Sequence, residues 1–586
     1  MRKKSLYTLM GIALTVAMVS CTDLKEKVID EVLGSNNSNP ENAIAAAYGQ
    51  LGSATFVDHN NVWGLQEYST DEALLPTRGS DWGDGGIYRA IHEFTWGPDN
   101  SLVANGWNNL NSGITKSLTA VTSAYQANGY ANQKLFLAEA RGLLAFYTFH
   151  TLDLYGQAPY RNPYVTNAPL EVKSADTAID GLIREVEAII PDLANLKEQN
   201  THNGRFTKQA AYALLADMYM NRAVFRNRYG ASFSFTEAAV DGNGTDMDKV
   251  IYYTTQLIDN TQFSLETNYF RNFDIDNNGR PELIFVVSQD INTQRSSSNS
   301  IAYMPMERNQ KPSANNRGTN ATCTTPSFYA TWDNNHDDPR FSRKYQYTDG
   351  TWFKNDGTDV SVPATSLVAN SSYPWFHFNR GFLAGQQYGP ILLSSGSLKM
   401  TSDNRIAVEK LYCEKNTALA MDFTPALNFD NAAQSVFTQA QINRGVRIFK
   451  FEFDPEKDNG SSNVDMPLYR LGGMYCMRAE AYFRSGQNSL AMADINKLRT
   501  TRTREEYYNS TPGTAITSLD ETTLYNEIAF EMYWEQWRRK EAIRFGKFET
   551  ADPGSAKPAS EPYRRVYPIP QSAMDASKAF TQNQGY

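Results

Sequence analysis

The residues with the most definite chemistry stand near the start of the chain. Arg2, Lys3 and Lys4 form a positive run, Ser5 to Met18 a short and mostly apolar stretch, and Met18-Val19-Ser20-Cys21 closes it. A cysteine just after a small residue at the end of such a stretch has the form of a bacterial lipobox. The expectation is cleavage before Cys21, a diacylglycerol on its thiol and acylation of its new amine, with residues 1–20 a signal peptide outside the fold. Each buried CH₂ contributes ~0.8 kcal/mol, so several acyl chains would hold the protein on a membrane without a spanning helix.

Carboxylates come next. Glu527, Glu531 and Glu535 recur at i, i+4, i+8 along one expected helix face. A glycosidase pair needs two groups ~5–9.5 Å apart across a cleft. One face beside Arg538 and Arg539 reads instead as a structural ion-pair network. Asp274-Ile275-Asp276-Asn277-Asn278-Gly279 mimics the opening of a calcium loop, but the twelfth position is Phe285 rather than the bidentate glutamate. A turn before a strand is the expectation there, and Asp241 to Asp246 is similar. No cofactor is called for, and a structural calcium has only these loops to support it. Beyond Cys21 three cysteines remain, Cys323, Cys413 and Cys476, an odd number that argues against a disulfide framework. Cys476 lies in an apolar helical stretch and reads as a small core residue.

Composition narrows the classes. The chain has 586 residues, 41% hydrophobic and 20% charged, which is globular rather than disordered. No window after residue 20 approaches the ~18 apolar residues of a spanning helix. Net charge is −9, and removing residues 1–20 takes away three basic residues and no acidic one, leaving −12. Nucleic acid is therefore not an expected partner. Six histidines leave little material for a multi-ligand metal site. Aromatics reach 12%, so either helix packing or a stacking surface must account for them.

The elements that must position these groups are mostly helical. Asn132 to Tyr155 carries Leu135, Ala138, Leu143, Phe146, Tyr147 and Phe149 at spacings of three and four, with Gly156 as a stop. Thr207 to Arg222 is Ala-rich, with Leu214, Leu215, Met218 and Tyr219 on one side. Pro467 to Arg484 reads as a helix opened by proline, Ser489 to Arg499 follows it at once, and Leu519 to Phe545 reads as one long helix closed by Gly546. Ala479, Ala481, Ala491 and Ala493 suit helix crossings, and such pairs resemble tetratricopeptide units without their regular period. The stretch 232–453 differs: it is rich in Asn, Asp, Ser, Thr, Gly and Pro, with Leu283 to Val287 and Arg447 to Phe453 as strands. Its long loops carry Tyr303, Phe328, Tyr329, Trp332, Trp352, Tyr373 and Trp375. Such rings either form a functional surface or pin the loops down. The expected fold is mostly α: tetratricopeptide-like helix pairs (21–231 and 454–586) supporting an irregular, loop-rich lobe (about 232–453) with a few short strands, all one domain over 21–586.

An ordered set of motifs carries a family resemblance. Cys21 is followed by T-D-L; Thr70-Asp71-Glu72 by P-T-R-G-S-D-W; A-E-A-R-G-L-L-A-F-Y-T-F by L-Y-G-Q-A-P-Y. Then come G-R-F-T-K-Q-A-A-Y-A-L-L-A, E-L-I-F, L-Y-R-L-G-G-M-Y-C-M-R-A-E-A-Y with I-N-K-L-R, E-I-A-F-E with R-F-G-K-F, and finally V-Y-P-I-P-Q-S-A-M and T-Q-N-Q-G-Y. No single motif is specific; the order over the whole chain resembles the SusD/RagB family of outer-membrane nutrient-binding lipoproteins. The resemblance implies a non-catalytic, surface-exposed protein, lipid-anchored in the outer membrane of a Gram-negative bacterium. It would bind oligosaccharide or polysaccharide and deliver it to a SusC-like TonB-dependent transporter. The RagB branch offers peptides as the alternative ligand. A surface glycoside hydrolase is the enzymatic alternative, disfavoured because no compact Glu/Asp constellation is present.

The resemblance also implies a ligand loop shortly after Thr70-Asp71-Glu72, here Leu75 to Trp82. A sugar offers C–H faces and many hydroxyls, so it needs rings and hydrogen-bonding groups. Arg78, Asp81 and Trp82 supply a donor fork, an acceptor and a ring within five residues. A mid-chain aromatic, Tyr303 first, is expected to face Trp82. The starch-binding founder of the family has tandem tryptophans in this loop; here Trp82 stands alone and displaced, which argues against starch.

Overall fold

The structure, a computed structural model, describes residues 39–289, 299–310, 317–343, 361–363, 380–390, 393–395, 397–452, 454, 462–505 and 510–586. Cys21 and the leader, with Trp352, Tyr373 and Trp375, lie outside the described residues. The helices are α1 (Pro40–Gln50), α2 (Val62–Glu67), α3 (Ile87–His92), α4 (Ser101–Gln126), α5 (Gln133–Tyr155), α6 (Ala175–Ile189) and α7 (Lys208–Arg226). After them come α8 (Asp246–Ile258), α9 (Pro326–Thr331), α10 (Leu471–Arg484), α11 (Asn488–Thr501), α12 (Glu521–Met532), α13 (Arg538–Arg544) and α14 (Gln571–Ala576). None among the described residues is long and apolar enough to cross a membrane.

Local chemistry starts and stops them. Asn100 accepts from the Leu102 and Val103 amides at the start of α4, Thr207 from Ala210 at α7, and Thr245 with Asp248 closes a capping box on α8. Gly156, at φ 69°, ends α5 in the left-handed conformation that glycine adopts without a Cβ clash. Helices α4 to α8 pack each on the next, and α10 and α11 continue the stack from α8. This is the tetratricopeptide-like scaffold. Gly113 permits the α4–α5 approach, since a Cβ there would sit 2.4 Å from the Tyr147 ring. Ala479, Ala481 and Ala491 are buried at the α10–α11 crossing, whereas Ala493 faces solvent. Although α8 lies in the stretch expected to be loop-rich, it packs between α7 and α10.

Six short strands matter for the site: β1 (Thr77–Arg78), β2 (Leu283–Val287), β3 (Arg380–Leu383), β4 (Val436–Phe437), β5 (Arg447–Phe449) and β6 (Met466–Arg470). β1 runs parallel to β4, with Arg78 opposite Phe437; β5 is antiparallel to β3, and β6 to β2. Pro467 therefore opens no helix. It sits in a fully buried strand, and the helix begins at Leu471.

The expected long helix after Leu519 is also broken. Helix α12 ends at Met532, and Trp534 and Gln536 take φ of +62° and +69° before α13 begins. The glutamates of this region do form an ion-pair network, but with other partners than Arg538 and Arg539. Glu527 pairs with Arg340 and Arg499; Glu531 with Arg470 at 2.6 Å and with Arg502; Glu535 with Lys450 at 2.5 Å and Arg470 at 2.7 Å. Arg538 instead grips Asp71 with two bonds of 2.7 and 2.8 Å, and Arg539 donates to the Arg565 carbonyl. This network ties α12 and the turn after it to β6 and the irregular lobe, and nearly all of it is buried. The Asp274 carboxylate faces Arg380 at 2.7 Å, and Asp241 faces Lys249 at 2.5 Å. Both calcium-like loops thus have cations of their own. Cys323, Cys413 and Cys476 are free and buried; burial pushes the Cys413 thiol up to about 12.

Candidate functional site

The loop leading to Trp82 is held by backbone bonds before any side chain acts. Leu74 pairs with Cys323, β1 with β4, and Arg78 and Asp81 exchange N–H···O bonds of 2.8 and 2.9 Å, closing a tight turn. Beyond the turn the chain takes positive φ at Trp82 (+60°), Asp84 (+36°), Gly85 (+64°) and Gly86 (+81°). For a bulky residue such as tryptophan the left-handed region is a genuine outlier, and it persists only where the surroundings over-determine it.

Those surroundings are visible. The Trp82 Nε1–H donates to the Thr319 carbonyl at 2.8 Å, and the Trp82 carbonyl accepts from Thr77 Oγ1 at 3.1 Å. The rings of His59 and Tyr88 meet the indole edge-on, 5.5 and 5.9 Å between centroids. His59 is fixed in turn, its Nδ1 2.9 Å from Ser300 Oγ and its Nε2 3.4 Å from the Tyr88 hydroxyl. Burial lowers the His59 pKa against the opposing pull of Asp58 and Asp84, which keeps the imidazole neutral near pH 7. The result is a half-buried indole in one orientation.

Asp81 stands beside it. One oxygen faces Lys415 and the other lies 3.4 Å from Arg308. The rim continues through Asn309, which donates to the Tyr412 carbonyl at 2.8 Å, and through the Arg317–Glu414 pair at 3.0 Å. Glu307 underlies it, accepting from the Asn309 and Glu414 amides, and burial raises its pKa to about 6. Tyr412 is 42% exposed.

Two expected site residues are placed elsewhere. Arg78 is 1% exposed and its guanidinium donates to the carbonyls of Ala321, Ile442 and Arg444 at 2.8–3.0 Å, stacked 4.8 Å from the Phe437 ring. It is a clamp between three segments and presents no donor fork to solvent. Tyr303 is 0% exposed. Its carbonyl accepts from Thr319 Oγ1 at 3.2 Å, so it supports the segment on which Trp82 rests, but its ring faces the interior. Phe328 and Trp332 are likewise buried, Trp332 3.9 Å from Phe530. The exposed ring on this rim is Tyr412, which sequence reasoning missed along with His59 and Tyr88. Only the alternation around Tyr412, in a short polar strand, hinted at exposure.

Chemically the face offers a fixed ring edge, a second exposed ring, carboxylate and amide acceptors, and ammonium and guanidinium donors. That combination matches a polyhydroxylated ligand. Among the described residues no group of three or more His, Cys, Asp or Glu could hold a metal ion.

A sequence model described as the SusD family matches residues 281–586, just over half of the chain. The chain belongs to the SusD family. Starch-binding protein SusD of Bacteroides thetaiotaomicron is 25% identical over 470 residues, covering 77% of this chain and 72% of the relative. SusD-like protein P2 of Formosa agariphila is 27% identical over 234 residues, 38% of this chain and 44% of that SusD-like relative. The fold is shared with solved SusD-like structures. A laminarin binding SusD-like protein superposes with a TM-score of 0.61 at 16% identity, covering 94% of this chain and 100% of that one. Surface glycan-binding protein A from Bacteroides thetaiotaomicron, in complex with laminarihexaose, does so with a TM-score of 0.58 at 17% identity, covering 93% and 98%.

Proposed function

We propose that this SusD-family protein is a cell-surface glycan-binding lipoprotein without catalytic activity. It captures oligosaccharides on the face around Trp82 and Asp81 and delivers them to a SusC-like TonB-dependent transporter. Acylated Cys21 tethers it to the outer membrane. The observation that carries the reading is the Trp82 ring, held by a left-handed backbone and by Thr319, His59 and Tyr88, partly exposed beside a rim of paired charges. The starch- and laminarin-binding names of its relatives support the same ligand class.

Titration calorimetry with maltohexaose, laminarihexaose and a mixed peptide digest tests the ligand. Binding of a glycan, weakened in Trp82→Ala, is expected; binding of peptides alone would replace this reading with the RagB-like one. A released-sugar assay on the bound glycan should stay blank. Cys21→Ala should lose fatty-acid labelling and, in cells lacking the partner barrel, leave the washed outer-membrane fraction; retention there without the barrel would overturn the anchor. A mild-detergent pull-down should bring a barrel transporter, through an interface of more than ~2,000 Å².

A further inference from the structure

A cavity of about 220 Å³ lies at the other end of the segment that leads to Trp82, between Asp71, Ser327 and the α12–α13 region. It falls short of the ~300 Å³ where drug-sized pockets begin, so it suits one small ring and no chain.

Its walls are polar and pre-set. Asp71, with 27% of its side chain exposed, is fixed by both bonds from Arg538. Burial raises the Asp71 pKa, and Arg538 more than offsets this, so the carboxylate stays ionised. Asp552 Oδ2 accepts from Ser327 Oγ at 2.6 Å and Ser555 Oγ at 2.9 Å, which leaves Oδ1 as an acceptor. Tyr525 is only 8% exposed as a residue, and its hydroxyl, which no described residue bonds, is open to the water of the cavity. Lys547 is exposed at the edge and has no ion-pair partner among the described residues.

Charge decides the ligand class. Arg538 answers Asp71, and Lys557, anchored on the Phe548 carbonyl at 2.8 Å, acts on both carboxylates. An amine would therefore find no uncompensated negative charge and would face Lys547, and an anion would have only the solvent-screened Lys547 at the edge to set against two carboxylates. A neutral polyol meets neither penalty. We propose that this cavity is a second carbohydrate subsite that takes a single sugar unit through its hydroxyls. Asp552 and Asp71 act as acceptors, and Tyr525 and Lys547 as donors. It rests on the cavity's own geometry and not on the Trp82 face.

Saturation-transfer NMR on the full chain tests it, with glucose, galactose, mannose and xylose as probes and Trp82→Ala as the background, so that the Trp82 face is silent. At least one monosaccharide should bind this variant. Adding Tyr525→Phe, which removes a hydroxyl with no protein partner, should raise its Kd roughly tenfold. Lys547→Met, at an exposed position, should raise it less. Absence of all four sugars, a Kd untouched by both substitutions, or displacement by glycine or acetate would overturn the subsite. None of these results bears on oligosaccharide binding by the wild-type protein, which tests the Trp82 face separately.

Discussion

Two tryptophans in this molecule share a backbone conformation that bulky residues avoid: Trp82 at φ +60° and Trp534 at φ +62°. Trp534 is fully buried. Its amide donates to Glu72 Oε2 at 2.9 Å, its indole N–H to the Glu72 carbonyl at 3.2 Å, and Trp63 meets it edge-on. Trp82 rests on one carbonyl and two ring edges with part of its indole in solvent. The same local strain thus does different things. In the core it breaks a helix so that Glu535 can leave the α12 line and reach Lys450 and Arg470. In the loop it seats a ring on the edge of the core with part of it in solvent. Strain alone does not mark a site; strain together with exposure does.

The largest effect that would break this contrast is at the buried member. Trp534→Ala should cost ~3–5 kcal/mol of stability, as removal of a buried tryptophan does, and reduce glycan affinity only through the unfolded fraction. Denaturant unfolding and calorimetry on the same samples check it. An affinity loss in the fully folded variant would make the two tryptophans parts of one site.

Trp82→Ala should show the reverse. Loss of a stacking ring is expected to cost ~1–3 kcal/mol of binding, or roughly tenfold to a hundredfold in Kd. Stability should fall by less than for Trp534, because part of the ring is already in water. A melting temperature that drops as far as that of Trp534→Ala, with unchanged affinity, would move Trp82 into the core.

The contrast also explains what could be read from the sequence. Helices α5 and α7 were legible because their apolar spacing, the Thr207 cap of α7 and the Gly156 stop of α5 are all local. The i, i+4, i+8 glutamates pointed correctly to an ion network, yet its partners come from Arg340, Lys450, Arg470, Arg499 and Arg502. These sit in other elements, and no local pattern selects them over the adjacent Arg538 and Arg539. The loop Leu75 to Trp82 could be proposed from the family resemblance. That Arg78 turns inward follows from three carbonyls more than 240 residues away in sequence, and the inward ring of Tyr303 from similar long-range packing.

A subtler effect lies at the same helix break. The Glu67 carboxyl accepts from the Gln536 amide at 2.6 Å, and burial pushes its pKa up to about 8, with Glu72 and Glu541 also raised. An unfolded glutamate titrates near ~4.3. Between these values the folded chain keeps a proton that the unfolded chain has lost, so this contribution to stability is full below ~4.3 and is lost as pH rises toward 8. Glu67→Gln should flatten the decline by at most ~1.4 kcal/mol per pH unit for one proton. Thermal unfolding at pH 5 and pH 8 measures it, and an unchanged slope would assign the titration to Glu72 and Glu541 alone.

The smallest expected effect is at the rim. Asp81 faces Lys415 and Arg308, whose side chains are 38% and 19% exposed. The Asp81 side chain itself is only 12% exposed, so these pairs are screened less than open surface pairs, which contribute ~0–1 kcal/mol, and salt near 1 M, with a Debye length of ~3 Å, reaches them mainly through Lys415. Asp81→Asn should therefore lower the melting temperature modestly, by less than Trp534→Ala, and make stability less sensitive to salt. If a ligand hydroxyl uses an Asp81 oxygen, the charge-assisted bond weakens and affinity should fall by about 0.5–1.5 kcal/mol, less than for Trp82→Ala. The two readouts separate the roles. A loss of stability exceeding the loss of affinity would make Asp81 a counterpart of the buried Glu531, holding the lobe together. A loss of affinity at constant stability places it beside Trp82 as a group whose partner arrives from solution.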